Sequence, residues 1–103
     1  MRPHAARAAA LLKALGNEQR LMILCHLVAG PLSVGELNEL VPLSQSALSQ
    51  HLGILRESGI VLTRRASQSI IYSLPAGIVR QIIALVHEKY CPDRTRSSAR
   101  SPA

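Results

Sequence analysis

Hydrophobic periodicity divides the chain into four successive helical segments, two β-branched runs and a closing helix. Residues 5–15 (AARAAALLKAL) are strong helix formers, and Gly16-Asn17 ends the run. Asn17 suits the N-cap of a second helix, NEQRLMILCHLVA, with Glu18 favourably placed in its first turn. Leu21, Met22, Ile23, Leu24, Cys25, Leu27 and Val28 make that helix apolar nearly all round, which predicts burial, and Gly30-Pro31 stops it. Ser33 and Glu36 have capping-box spacing and open a short third helix through Leu37, Leu40 and Val41, broken by Pro42. Ser44 opens a fourth, SQSALSQHLGILRES, closed by Gly59. Its apolar stripe is Ala47, Leu48, Leu52, Ile54 and Leu55; its other face carries Gln45, Ser46, Ser49, Gln50 and Arg56.

The period then changes. Residues 60–63 (IVLT) and 69–74 (SIIYSL) are β-branched runs joined by RRASQ at 64–68, which predicts a hairpin whose connection lacks the usual glycine. Pro75 is placed as the first residue of a final helix, PAGIVRQIIALVHEKYC, ended by Pro92. Ile78, Ile82, Leu85 and Val86 form its stripe, broadened by Val79 and Ile83. The predicted order is α-α-α-α-β-β-α: a mainly α fold with a two-stranded β wing, in one domain over residues 1–91. A basic Ser/Pro-rich tail, 92–103, follows and is expected to be disordered.

Composition narrows the function. A chain of 103 residues holds one domain, and 48% apolar against 17% charged content excludes a disordered chain. No apolar run reaches the roughly 20 residues needed to cross a bilayer. Lys13 interrupts the Ala-rich N-terminal stretch, which therefore reads as a helix rather than a secretion signal, and a cytoplasmic protein without membrane contact is expected. A domain this small leaves about 40% of its unfolded-chain surface exposed, a shortage that dimerisation would relieve. The net charge of +6 suggests a polyanionic partner. Much of it lies near the ends, however: Arg2, Arg7 and Lys13 in residues 1–15, and Arg94, Arg96 and Arg100 against Asp93 in the tail. Residues 16–91 hold six cations and five anions. With no Phe or Trp and only Tyr72 and Tyr90, there is no stacking platform for single-stranded nucleic acid.

Two short helices joined by a tight turn and followed by a wing make a winged helix-turn-helix, and the physics of that arrangement fits duplex DNA. A helix fits the major groove, and short amide and hydroxyl side chains approach base edges closely. Ser44, Gln45, Ser46, Ser49 and Gln50, with Arg56, are the candidate contacts on the fourth helix. Arg64 and Arg65, expected at the hairpin tip, and Gln68 are the candidate wing contacts, reaching phosphates or the neighbouring minor groove. The competing reading of the same residues is an ordinary solvated polar face.

The blocks LKALGNEQRLMIL, LSVGEL, LSQSALSQHLGILRESGIVLTRR and IIYSL together resemble the ArsR family of bacterial transcriptional regulators. The resemblance spans residues from about 10 to 91, and its most specific part runs from Leu43 to Arg65. It implies a homodimer, assembled through the first and last helices, that binds a short palindromic operator in double-stranded DNA. It also implies a signal that changes DNA affinity. The connection at 66–68 departs from the Gly- and Arg-containing wing tip common in the family.

The signal is the open question. Metal-sensing members use a paired-cysteine motif near the third helix or carboxylate and histidine ligands on the last. Here there is no Cys-x-Cys, and the adjacent His87 and Glu88 lie about 100° apart on a helix, so a surface His87 and no metal are expected. The contexts of Cys25 (LMILCHL) and Cys91 (KYC) resemble the sulfur- and redox-responsive subgroup that includes HlyU, BigR and SqrR. That resemblance implies that persulfides or oxidants link Cys25 to Cys91 and release DNA. Taken without it, the two residues read better as buried, inert thiols than as a switch, because an apolar helix keeps Cys25 protonated and a helix C-terminus disfavours a Cys91 thiolate. No nucleophile-base-orienter set and no Gly-rich phosphate loop is present, so an enzyme is not expected, and no cofactor is implied. A metal-responsive repressor with an atypical site and a winged-helix protein-interaction module stay open as alternatives.

Overall fold

A computed structural model of the chain describes residues 2–90; Cys91 and the tail at 92–103 lie outside the described residues. Five helices, α1 (Arg2–Leu15), α2 (Glu18–Val28), α3 (Val34–Leu40), α4 (Gln45–Glu57) and α5 (Ile78–Tyr90), are joined by three short strands. These are β1 (Leu32–Ser33), β2 (Leu62–Ala66) and β3 (Ser69–Ser73). The fold is the expected winged helix-turn-helix.

The helix starts follow local chemistry. Asn17 has an extended backbone, and its side chain accepts from the Arg20 N–H at 3.0 Å, satisfying one orphan donor of α2. Ser33 and Glu36 form the complete capping box at α3: Ser33 Oγ accepts from the Glu36 N–H at 3.1 Å and the Glu36 carboxylate accepts from the Ser33 N–H at 2.8 Å. A seven-residue helix has little else to hold its first turn. Ser33→Ala is therefore expected to lower stability by about 0.5–2 kcal/mol, read as an earlier urea midpoint with an unchanged slope.

One core collects the inner faces of all five helices. Leu15, Ile23, Leu24, Leu27, Leu37, Leu48, Leu52, Leu55 and Ile83 are buried, joined by Ile60, Val61, Tyr72 and Leu74 around the sheet. α2 lies at the centre, packing against α1, α3, α4, α5 and β3. Its apolar character divides: Ile23, Leu24 and Leu27 are buried, whereas Leu21, Met22, Cys25 and Val28 are half-buried on its flanks.

Several expectations are corrected. α1 begins at Arg2, earlier than position 5, because no helix breaker other than Pro3 precedes the Ala-rich run and proline is tolerated in a first turn. α5 begins at Ile78 rather than Pro75. Gly77, at φ +131, takes a backbone conformation closed to other residues just ahead of the helix, and its carbonyl accepts from the Gln81 N–H at 3.1 Å. The wing gains a third strand: β1 pairs with β3 through Leu32↔Tyr72 and Ser33↔Ile71, giving the antiparallel order β1-β3-β2. A two-residue strand leaves no periodic signal in sequence. The hairpin is also tighter than predicted, since Ala66 pairs with Ser69 and only Ser67 and Gln68 connect the strands. Ser67 supplies the positive φ, +62, that such a short connection demands of its first residue, in place of the missing glycine.

Candidate nucleic-acid interface

α4 is an amphipathic helix seated by three leucines. Leu48, Leu52 and Leu55 are buried, and Gln45, Ser46, Ser49, Gln50 and Arg56 are exposed on the remaining surface. Ser44, the N-cap, is exposed as well, and its hydroxyl accepts from the Ala47 N–H at 3.1 Å, so its oxygen is already committed to the cap. With no acid in the first turn, the positive end of the α4 dipole faces solvent undiminished, a favourable setting for a phosphate.

One residue of the predicted apolar stripe lies elsewhere. Ile54 is 42% exposed, because it falls about 100° beyond the Leu55 side of the stripe, one turn after Gln50. Gly53 also stands on the outer half of the helix. A Cβ built there meets nothing within 4 Å, so no packing among the described residues requires glycine, although a mid-helix glycine costs about 1 kcal/mol relative to alanine.

In the wing, Arg64 and Arg65 lie inside β2 rather than at the tip, opposite Ile71 and Ile70. Side chains alternate along a strand, so these two arginines leave the hairpin on opposite faces: Arg65 on the side of Ile70 and Tyr72, Arg64 on the side of Ile71. Both are exposed, as is Gln68 in the connection. The predicted contact residues thus fall into two groups, one along α4 and one on the wing.

Sequence reasoning missed two arginines that tie the elements together. Arg20, at the start of α2, donates from Nε to the Ala14 carbonyl of α1 at 2.7 Å, and its Nη1 lies 3.4 Å from His51 Nδ1 on α4. Arg80, on α5, donates to the Val28 carbonyl at the end of α2 at 3.2 Å and to the Leu74 carbonyl at 2.9 Å. Both dimer-helix candidates, α1 and α5, are hydrogen-bonded to α2 or its last turn in this way. These links span up to 52 residues of sequence, so no local pattern announces them.

Cys25 is half-buried on α2 against the core, and its predicted partner Cys91 lies outside the described residues. Among the described residues no three His, Cys, Asp or Glu side chains gather closely enough to hold a metal ion. His87 is not the surface residue expected: it is half-buried, with Nδ1 enclosed and without a hydrogen-bond partner among the described residues. It sits on the same helix face as the buried Ile83, one turn earlier, which draws it inward. No helix among the described residues is long and apolar enough to cross a membrane.

Comparison with known proteins agrees with this architecture. Residues 17–63, from the cap of α2 into β2, match the family described as "Bacterial regulatory protein, arsR family". The transcriptional activator HlyU of Vibrio cholerae is 50% identical over 91 residues, covering 88% of this chain and 84% of that protein. The biofilm growth-associated repressor of Xylella fastidiosa is 44% identical over 91 residues, covering 88% of this chain and 80% of its own length. The solved structure of reduced HlyU from Vibrio cholerae superimposes with a TM-score of 0.83 over 88% of this chain and 96% of that one. The candidate DNA-reading helix, the wing behind it and relatives that are themselves transcriptional regulators lead to one conclusion: the chain belongs to the ArsR family and is a DNA-binding transcriptional regulator.

Proposed function

We propose that the protein works as a homodimer on a palindromic operator, with its DNA affinity set by linkage of Cys25 to Cys91. The observation that carries the reading of the interface is the division of α4 into a leucine face that is buried and an amide and hydroxyl face that is open. In the dimer, two copies of α4 enter successive major grooves about 34 Å apart, and Gln45, Ser46, Ser49 and Gln50 meet base edges or nearby phosphates. Arg56, Arg64, Arg65 and Gln68 add contacts to the backbone or the minor groove.

The switch acts through α2. This helix carries Cys25, packs against α4 and receives the hydrogen bond from Arg80 of α5, the helix whose last described residue precedes Cys91. A covalent link between the two cysteines would draw α5 and α2 into a new relative placement. Because the two reading helices must match a fixed groove spacing, a small change of frame weakens binding. The supporting resemblance is to HlyU and to the Xylella fastidiosa repressor, which are 50% and 44% identical over 88% of this chain.

The chemistry balances with a low-molecular-weight persulfide as oxidant. One glutathione persulfide converts two thiols to a disulfide and leaves as glutathione and hydrogen sulfide. Two equivalents leave a third sulfur in the bridge, with release of two glutathiones and one hydrogen sulfide. The test is the intact mass of the reduced protein before and after glutathione persulfide, with peptide mapping, followed by operator affinity of each form. The expected result is one bridge joining Cys25 and Cys91 and DNA binding weaker by about 5–150-fold. Cys25→Ser and Cys91→Ser should each abolish the response and keep the reduced-state affinity. Separate adducts with no bridge, or variants that fail to bind DNA when reduced, would remove the switch.

A further inference from the structure

Gly53 has no structural reason to be glycine, and its surroundings supply a functional one. It sits mid-helix, where its backbone is ordinary α-helix, with open space at the position of a Cβ. On a helix, residues three and four apart are surface neighbours. The neighbours of Gly53 are therefore Ser49 and Gln50 one turn before it and Arg56 and Glu57 one turn after, all exposed. Three of these four are candidate DNA contacts; Glu57, an acid, marks the outer limit of a surface that can face phosphates. The centre of the patch is thus bare backbone ringed by hydrogen-bonding side chains.

We infer that Gly53 is a close-approach site: the absent side chain lets the α4 backbone lie against the sugar-phosphate edge of the major groove, so that Ser49, Gln50 and Arg56 reach their contacts. The inference rests on α4 being the reading helix. Its physical signature is an opposition between two measurable quantities. In the free protein, alanine at this position removes the excess flexibility of glycine and meets no clash, so the fold becomes more stable. In the complex, the added methyl group lifts the helix from the DNA and lengthens every neighbouring hydrogen bond, which weakens steeply with distance.

The experiment uses the full chain in its reduced form, with a duplex that the wild-type protein has selected from a randomised pool as the probe. Gly53→Ala is expected to raise the melting temperature by about 4–8 °C and to weaken binding to that duplex roughly fivefold. Gly53→Leu, with a bulkier side chain in the same open space, is expected to keep a melting temperature at or above wild type and to weaken binding at least about thirtyfold. Gln50→Ala serves as the reference for the reading helix. If both Gly53 variants bind as wild type while Gln50→Ala loses affinity, the close approach is wrong and the reading helix stands. If none of the three affects binding, the assignment of α4 itself fails, and this inference with it. A fall in melting temperature for Gly53→Ala would make the glycine structural and would equally overturn the proposal.

Discussion

Replacing Leu48 with alanine is expected to remove about 2–5 kcal/mol of stability, the range for truncating a fully buried leucine where the surroundings relax only in part. Leu48 has no exposed surface and stands on the inner face of α4, between its cap and Leu52. Domains of this size have roughly 5–15 kcal/mol in total, so the loss is a large fraction of what holds the fold, and the melting temperature should fall by about 10 °C or more. The neighbouring exposed Ser49 gives the contrast. Ser49→Ala should shift stability by no more than about 0.5 kcal/mol, because it loses no packing. Thermal melts of both variants, each at the same protein concentration, decide the matter. Equal melting temperatures would mean that the leucine face does not seat the helix.

The contrast between Leu48 and Ser49 was legible in the sequence, and so was most of the helical framework. Asn17 and Ser33 read as N-caps and Ser44 as the residue that opens its helix, and each caps the helix expected of it. What stayed hidden has particular physical causes. Ile54 counts as apolar in any periodic scheme, yet the stripe on α4 is narrow enough that a residue about 100° beyond Leu55 emerges into solvent. Arg64 and Arg65 fall between the two β-branched runs and so read as their connection. In fact β2 is exposed along most of its length and tolerates them, while the turn depends on Ser67 adopting a positive φ. The start of α5 is set by glycine, not by the proline that the sequence offers as its first residue. Pro75 suits a first helical turn, but Gly77 needs a conformation incompatible with helix, and the helix waits until Ile78. The links made by Arg20 and Arg80 join residues distant in sequence, where periodicity carries no information.

The stripe on α5 carries the remaining prediction, because it divides between two destinations. Ile83 is fully buried and Val79 and Ile82 pack on the core, whereas Ile78 and Leu85 are 62% and 66% exposed. Ile78 and Leu85 are seven residues apart, two turns along one face, and Leu12 of α1 is likewise 57% exposed. Apolar groups of this size each gain roughly 1.5–3 kcal/mol when fully covered, and in a two-fold dimer every such gain occurs twice. Leu85→Glu would place a carboxylate on each side of an interface formed by this face, without touching the core of the protomer. The expected result is a folded monomer by sedimentation, with helical content unchanged. Its affinity for a palindromic operator should fall at least about 100-fold, because two linked reading helices bind with a high effective concentration that separate protomers lack. Binding to a single half-site should change little, since α4 and the wing are intact in each protomer. A Leu85→Glu protein that remains a dimer and holds its operator would place the dimer interface elsewhere than on α5.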